Sequence, residues 1–192
     1  MAADVRHLDR AELEAALDEI RRSPRDEGHL DLIVRRPAIG EREVLDKGQL
    51  DLATGLVGDN WGTRGSRRTT DGASHPDMQL NVMNSRVIAL LAQQKERWPL
   101  AGDQLFVDVD LSEANLPAGT RLAIGDAVIE VTSQPHTGCE KFVARFGLDA
   151  MKFVNSPTGR ELHLRGINAR VVTPGTIRAG DPVKVISRPA AS

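Results

Sequence analysis

The single cysteine of the chain, Cys139, lies in the stretch SQPHTGCEKFVARFG at residues 133–147. A proline and a glycine shortly before it would interrupt a strand, and the apolar residues after it have helical spacing. The sequence therefore predicts that Cys139 lies at or near a helix N-terminus. Such a position stabilises a thiolate; His136 and Lys141 would add to the effect, and Glu140 would oppose it. Cys139, His136 and Lys141 are the candidate catalytic residues.

The residues around Cys139 restrict the roles that its thiol can have. Lone cysteines are often small apolar core residues, but the flanks of Cys139 are polar and turn-forming. One histidine and one cysteine are too few ligands for structural zinc, and an enzyme that cycles through an internal disulfide needs a second thiol. What remains is a cysteine that carries sulfur, ligates a cofactor metal or attacks a substrate.

Composition and charge argue against several classes of protein. The net charge of -2 and the pI near 6.2 disfavour binding of nucleic acid through a broad basic face. The 20 arginines against 5 lysines instead suit bidentate contacts with phosphate or carboxylate oxygens. Because the sequence shows no signal peptide and no apolar run of about 20 residues, we expect a cytoplasmic protein without a membrane segment.

Two amphipathic helices and a long loop are predicted in the first half of the chain. Residues 8–22 have apolar residues at helical spacing behind a capping box of Asp9 and Glu12, and residues 84–98 predict a second helix capped by Asn84 or Ser85. The first helix is interpreted as an N-terminal extension.

The loop at residues 55–76 is rich in glycine and charge, and long loops are usually functional or disordered. We expect its residues 60–77 to form a mobile lid over the cysteine, because they contain the cluster Arg64, Arg67 and Arg68.

Short strands punctuated by glycine and proline dominate the rest. Alternating residues predict strands at 30–34, 105–111 and 121–133, the last of them a hairpin that turns at Gly125 and Asp126. The stretch 166–187 is interpreted as a repeat of this strand–turn–strand pattern, with turns at Pro174-Gly175 and Gly180-Asp181. Many short strands of this kind indicate a mainly antiparallel barrel or sandwich.

Three stretches together resemble one known family: GLVGD at 55–59, residues 112–142 and residues 166–181. They are similar to the MOSC domain, the module named for the C-terminal domain of molybdenum cofactor sulfurase. The most specific element is Glu113-x-Asn115-Leu116, followed by IGDAVIEVTSQPHTGC with the cysteine. The resemblance implies a mainly β fold, a MOSC-type β-barrel with a few peripheral α-helices. It divides the chain into a helical extension at 1–28, a MOSC domain at 29–187 and a disordered tail at 188–192.

The resemblance also implies a function for Cys139. The family's cysteine is proposed either to hold sulfur as a persulfide or to ligate molybdenum in a bound pterin cofactor, a cofactor of the molybdopterin type. Stand-alone bacterial members are associated with reduction of N-hydroxylated compounds. Pyridoxal phosphate is associated with the family more loosely.

Departures from the family pattern concern the loop and the missing partner domains. Many members have Arg-His after GLVGD, where this chain has Asn60 and Trp61, so Arg67, Arg68 and His75 are expected to compensate. The chain shows neither an aminotransferase-like domain nor a ferredoxin-like domain. A redox or sulfur-donor protein is therefore an expected partner, together with a small-molecule substrate.

The candidate cofactor-binding residues follow from the same resemblance. Arginines would bind the anionic end of the pterin, asparagines would make polar contacts and a glutamate would hold an arginine in place. These candidates are Arg67, Arg68, Arg145, Arg165, Asn115, Asn168 and Glu113, and Cys139 is the candidate metal ligand. The alternative function is a non-catalytic barrel that binds a small anionic ligand, with Cys139 incidental.

Overall fold

Eleven strands and seven α-helices form over residues 5–190, the part of the chain that this computed structural model describes. The strands are β1 (Glu27–Arg35), β2 (Glu43–Leu45), β3 (Lys47–Asp51), β4 (Gly55–Leu56), β5 (Leu80–Asn84), β6 (Leu105–Val107), β7 (Arg121–Ile124), β8 (Ala127–Val131), β9 (Ile167–Thr173), β10 (Gly175–Arg178) and β11 (Pro182–Ser187). The α-helices are α1 (Arg10–Ala15), α2 (Leu17–Arg21), α3 (Trp61–Arg64), α4 (Ser85–Ala92), α5 (Glu140–Phe146), α6 (Leu148–Asn155) and α7 (Pro157–Glu161). Two 3-10 helices span Pro76–Met78 and Lys95–Ala101.

The main sheet closes into a barrel. Within the described residues its seven strands run in the order β1-β6-β5-β9-β8-β7-β11, and β11 pairs back with β1. Neighbouring strands are antiparallel except for β5 and β6, which are parallel. Strand β2 pairs with the end of β1, and β10, β3 and β4 form a separate small sheet. The predicted mainly β barrel with peripheral helices is confirmed.

Alternation of the strand residues produces two hydrophobic cores. In β1, Leu30 and Ile33 point into the barrel, whereas Leu32 and Val34 join a second cluster beneath the helices. A bulge between Leu30 and Leu32 shifts the register within this strand. Each barrel strand near the helices is therefore buried on both faces, which fixes its register strongly.

The predicted helices are shorter than their sequence patterns. The capping box of Asp9 and Glu12 is present, but the first helix is interrupted at Ala16. Helix α4 starts at the predicted cap Asn84 and ends at Gln93, whose φ of 61° is left-handed. The prediction of a helix to residue 98 is wrong, because the chain then continues as a 3-10 helix that contains Pro99.

The hairpin at Gly125 and Asp126 is confirmed, since β7 and β8 pair directly across it. The interpretation of 166–187 as a repeat of that hairpin is wrong, because β9 pairs with β8 and β5, β10 with β3, and β11 with β1 and β7. The chain changes sheets at the two turns. The predicted strand at 105–111 is also wrong beyond Val107, where β6 ends.

The N-terminal helices pack against the rest of the protein. Leu13 of α1 and Ile20 of α2 are buried in the same cluster as Phe142 and Phe146 of α5. At the other end, Arg188 donates to the backbone oxygen of Asn115 at 2.9 Å. The division into extension, domain and tail stays a prediction, and its residues 1–4 and 191–192 lie outside the described residues.

None of the helices among residues 5–190 is both long and apolar enough to cross a membrane.

Candidate active site

Cys139 occupies the N-cap of helix α5, which confirms the predicted helix start. The amides of Phe142 and Val143 donate to its backbone oxygen at 2.9 and 3.1 Å, and its side chain is exposed. Phe142 and Phe146 anchor the helix from below, with ring centroids 4.9 Å apart. Lys141 is exposed in the first turn of the same helix. The thiol is therefore presented to solvent from a firmly packed helix.

The loop before Cys139 is clamped at both ends by asparagine side chains. Asn168 on β9 donates to the carbonyl oxygens of Gln134 and Pro135 at 3.0 and 3.3 Å. Asn155 at the end of α6 accepts from the amide of Gly138 at 2.9 Å and donates to the carbonyl of the same residue at 3.1 Å. These contacts replace the strand pairing that proline and glycine prevent, and they fix the position of His136 between the two clamps.

A buried polar chain connects this loop to the turn that ends GLVGD. Asn168 accepts from Asn81 on β5 at 2.7 Å, and Asn81 accepts from Arg36 at 3.1 Å. Arg36 is 3% exposed and makes two bonds of 2.8 Å to the carboxylate of Asp59. Burial opposes ionisation of Asp59, but Arg36 outweighs it and holds the pKa of this carboxyl below its usual value. The loop and the turn are thus joined by a continuous chain of buried polar contacts.

A second buried ion pair lies next to His136. Arg165 donates to Asp103 at 2.7 Å and to the carbonyl of Ala101 at 3.0 Å, and its guanidinium stacks 5.1 Å above the ring of Phe142. The other oxygen of Asp103, Oδ1, lies 3.5 Å from Nδ1 of His136. Burial raises the pKa of Asp103, and Arg165 opposes that rise.

The ring of His136 is held neutral by its surroundings. Burial lowers its pKa well below the ordinary value, and the positive charges of nearby arginines lower it further. These arginines are Arg165, Arg36, Arg68 and Arg64.

Three further arginines converge without carboxylate partners. Nη2 of Arg42 and Nη1 of Arg145 lie 3.5 and 3.8 Å from the point that a Cβ on Gly102 would occupy. Burial lowers the pKa of Arg42, the charges of Arg145 and Arg36 add to this effect, and the carboxylates of Asp59 and Asp103 oppose it. The charges of Arg36 and Arg42 also act on the more exposed Arg64. No ion pair within residues 5–190 involves Arg42, Arg64 or Arg145. We call these three residues the unpaired arginines. Clustered guanidinium groups without carboxylate partners are typical of sites that bind anions.

The predicted site residues divide into two groups. His136, Arg145, Arg165 and Asn168 lie around the cysteine loop, and Nη1 of Arg68 reaches the carbonyl of Pro135 at 3.5 Å. Arg67 is exposed on the preceding loop. This loop is not fully irregular, because it contains α3, whose Trp61 is buried.

The other two predicted residues, Glu113 and Asn115, have their partners outside the cysteine loop. Glu113 is 3.2 Å from Nε2 of His163 and pairs with no arginine in the described part of the chain. The amide of Asn115 is occupied by the backbone of Arg25 and Asp110 and by the side chains of Arg25 and Arg188. Their predicted cofactor roles stay predictions.

A cleft of about 440 Å³ opens on one side of the cysteine loop. Its floor consists of four aliphatic side chains that are at most 3% exposed: Leu116, Val131, Val154 and Ile167. Polar residues surround this floor, among them His136, Thr137, Glu113, Arg160 and His163. The ring of His136 is thus shared between the cleft and the buried ion pair of Asp103.

Several important residues were missed by sequence reasoning. Asp59 belongs to the quoted GLVGD motif, but nothing in the sequence pairs it with Arg36. Asp103 and Asn155 lie in stretches that gave no motif, and Arg42 is one of 20 arginines without a distinguishing pattern. Tertiary packing alone brings these residues together.

A metal ion would need ligands beyond those the chain supplies in one place. No group of three or more histidine, cysteine, aspartate or glutamate side chains that could hold a metal ion occurs among residues 5–190. Cys139 as a single ligand is compatible with a metal that arrives already bound to a cofactor.

Comparisons with known proteins agree with this fold. YuaD from Bacillus subtilis aligns with a TM-score of 0.59 at 17% identity, over 85% of this chain and 97% of that one. YiiM from Escherichia coli gives 0.54 at 24% identity, over 85% and 72%, and YiiM from Geobacillus stearothermophilus gives 0.51 at 15%, over 84% and 74%. No curated protein matches the sequence. The MOSC domain family matches residues 69–184, more than half of the chain, and the protein therefore belongs to this family.

Proposed function

We propose that this protein binds a molybdenum-pterin cofactor through its unpaired arginines and uses Cys139 either as a ligand to the metal or as a carrier of sulfur. The MOSC family is known for binding the molybdenum cofactor. The reaction that we propose is reduction of N-hydroxylated compounds, with electrons from an external donor. Pyridoxal phosphate binding stays a prediction from the resemblance alone.

The observation that carries the proposal is the convergence of Arg42 and Arg145 above Gly102. Gly102 has a φ of 89°, which favours glycine, and a Cβ there would come within 3.8 Å of both guanidinium groups. A phosphate group offers several acceptor oxygens to such donors and would neutralise charges that have no carboxylate partner. These residues fit the anionic end of a pterin cofactor.

The position of Cys139 agrees with this arrangement. Arg145 and Cys139 stand at opposite ends of α5, so the helical rise separates them by about 9 Å along its axis. A cofactor whose phosphate meets Arg145 would have to extend along this helix to reach the exposed thiol. A bound molybdenum-pterin group would supply the redox chemistry, and the chain would bind and orient it.

Other residues support binding and access. Asn155 and Asn168 hold the cysteine loop in place, and His136 offers a neutral ring beside a cleft of substrate size. Lys141 is exposed next to Cys139 and adds positive charge for an anionic ligand or an acidic partner. A redox or sulfur-donor protein would approach this exposed surface.

The test is replacement of Cys139 by Ser in protein purified from a host that makes the molybdenum cofactor. If Cys139 ligates the metal, the wild type contains about one molybdenum per chain and Cys139→Ser loses most of it. If Cys139 carries sulfur, the wild type contains labile sulfane sulfur that the variant lacks. Retention of cofactor, sulfur content and every reductase activity in Cys139→Ser would instead support the non-catalytic binding module.

A further inference from the structure

Three neighbouring side chains each carry a fully buried polar atom without a hydrogen-bond partner. They are Oδ1 of Asp103, Nδ1 of His136 and Nε of Arg165. Buried polar atoms are nearly always paired, so a cluster of three exceptions calls for an explanation. Oδ1 of Asp103 and Nδ1 of His136 are 3.5 Å apart, slightly more than a hydrogen-bond distance.

The two nitrogens of the His136 ring have different environments. Nδ1 is fully buried next to the carboxylate, and Gly166 gives the ring its room, because a Cβ there would lie 3.2 Å from Nδ1 and 2.3 Å from the carbonyl of Val82. The side chain is still 13% exposed, and the ring lines the cleft. Nε2 is not among the buried unpaired atoms, so it is the nitrogen that the cleft can reach.

Arg165 donates to Oδ2 of Asp103 at 2.7 Å and favours the ionised carboxylate against the effect of burial, which leaves Oδ1 as an acceptor next to Nδ1. A neutral imidazole has one N–H, and a carboxylate beside one nitrogen draws that proton to it. The neutral form is favoured here because burial and the surrounding arginines lower the pKa of His136. The surrounding guanidinium groups are all donors, so a bare Nε2 supplies an acceptor that they cannot.

We propose that Asp103 is a positioning residue that holds the proton of His136 on Nδ1, so that Nε2 accepts a hydrogen bond from the O–H or N–H group of a small organic molecule in the cleft. The aliphatic floor of the cleft suits the apolar body of such a molecule, and Nε2 selects for a donor at one edge. This inference deepens the proposed function by naming a substrate class, and it rests on that proposal only for the view that the cleft receives the substrate.

The first test is the tautomer of His136 in the cofactor-free protein, read from long-range proton–nitrogen correlation spectra. We expect Nδ1 to be protonated in the wild type. In Asp103→Asn the amide group can donate to Nδ1, and the proton should move to Nε2. Asp108→Asn is the matched control, because Asp108 pairs with Arg86 at 2.8 Å and not with His136. A wild-type ring protonated on Nε2 would overturn the proposal, even if Asp103→Asn failed to fold.

The second test uses two fluorine-labelled probes, 4-fluorophenol and 4-fluoroanisole, followed by fluorine NMR; the anisole carries a methyl ether in place of the donor O–H. The wild type and Asp108→Asn should bind the phenol at least about tenfold more tightly, and Asp103→Asn should lose this preference. Equal binding of both probes, or binding of neither, would overturn the proposal. Neither test involves molybdenum, so a failure of the cofactor proposal would leave both results unaffected.

Discussion

Two sets of arginines lie side by side in this protein and differ in what balances their charge. Arg36 and Arg165 are nearly inaccessible, and each is bound to a fully buried aspartate, Asp59 or Asp103. The unpaired arginines Arg42, Arg64 and Arg145 form no ion pair within residues 5–190. Arg42 and Arg145 donate to backbone carbonyls, and the carboxylates of Asp59 and Asp103 act on Arg42 only from beyond ion-pair distance. The first set stabilises the fold, and we propose that the second set binds the anionic end of the cofactor.

The comparison shows that residue type does not separate a structural arginine from a binding one. Breaking a buried pair leaves an uncompensated charge in the interior, which costs far more than the pair itself contributes. Removing an unpaired arginine leaves no such charge and relieves repulsion. Stability and ligand binding should therefore respond in opposite ways to substitutions in the two sets.

The largest effect is expected for Arg36→Ala. This change leaves the buried carboxylate of Asp59 without its charged partner. It should lower the free energy of unfolding by about 3–5 kcal/mol, measured by urea denaturation. Arg35→Ala is the matched control, because its pair with Glu43 is exposed and should contribute at most about 1 kcal/mol. Similar losses in both variants would contradict the claim that the buried pair of Arg36 matters more to the fold than an exposed pair does.

A smaller effect is expected for Asn168→Ala, which cuts the polar chain between Arg36 and the cysteine loop. The buried amide of Asn81 loses its partner, so the loss of stability should be about 1–3 kcal/mol. Hydrogen exchange should also become faster in the loop that carries His136, because two of its carbonyl contacts disappear. If only stability changed, with exchange in the loop as slow as before, Asn168 would not be a clamp.

The positive charges of Arg36 and Arg165 should also change how the stability of the protein depends on pH, because they act on His136. Its pKa is lowered in the folded state from 6.5, so below that pH the unfolded chain binds the proton more readily and stability falls. The slope contributed by His136 approaches about 1.4 kcal/mol per pH unit as the pH falls below the unfolded value. His136→Gln should flatten the curve in this window. An unchanged curve would mean that the ring is protonated normally.

The fold could be predicted from the sequence where local patterns decide the structure. The capping box of Asp9 and Glu12, the cap at Asn84, the hairpin at Gly125 and the helix that starts after Cys139 all depend on residues a few positions apart. The pairing of strands, by contrast, does not depend on residues a few positions apart. Nothing local at Pro174 distinguishes a hairpin from a change of sheet, because the partner of β10 is more than 120 residues earlier in the chain.

The candidate site shows the same limit. Cys139 and His136 could be chosen because they stand in one short stretch with turn residues. Arg42 and Arg145, by contrast, are about 100 positions apart and meet only because both reach the segment around Gly102. Asn155 looks like an ordinary helix end, and its clamp on Gly138 depends on how α6 packs below the loop.

The smallest effect on stability and the largest on binding are expected for Arg42→Ala combined with Arg145→Ala. Loss of two mutually repelling charges should change the free energy of unfolding by less than about 1 kcal/mol. The matched control is Arg10→Ala with Arg21→Ala, which removes two exposed arginines from the N-terminal helices.

The most direct measurement is therefore the molybdenum and pterin content of wild type, control and Arg42→Ala/Arg145→Ala proteins purified from the same cofactor-producing host. We expect about one equivalent of molybdenum and of pterin in the wild type and the control. In the double variant we expect both to fall at least about tenfold. Equal content in all three proteins, or no cofactor in the wild type, would contradict the claim that the unpaired arginines hold the anionic end of the cofactor.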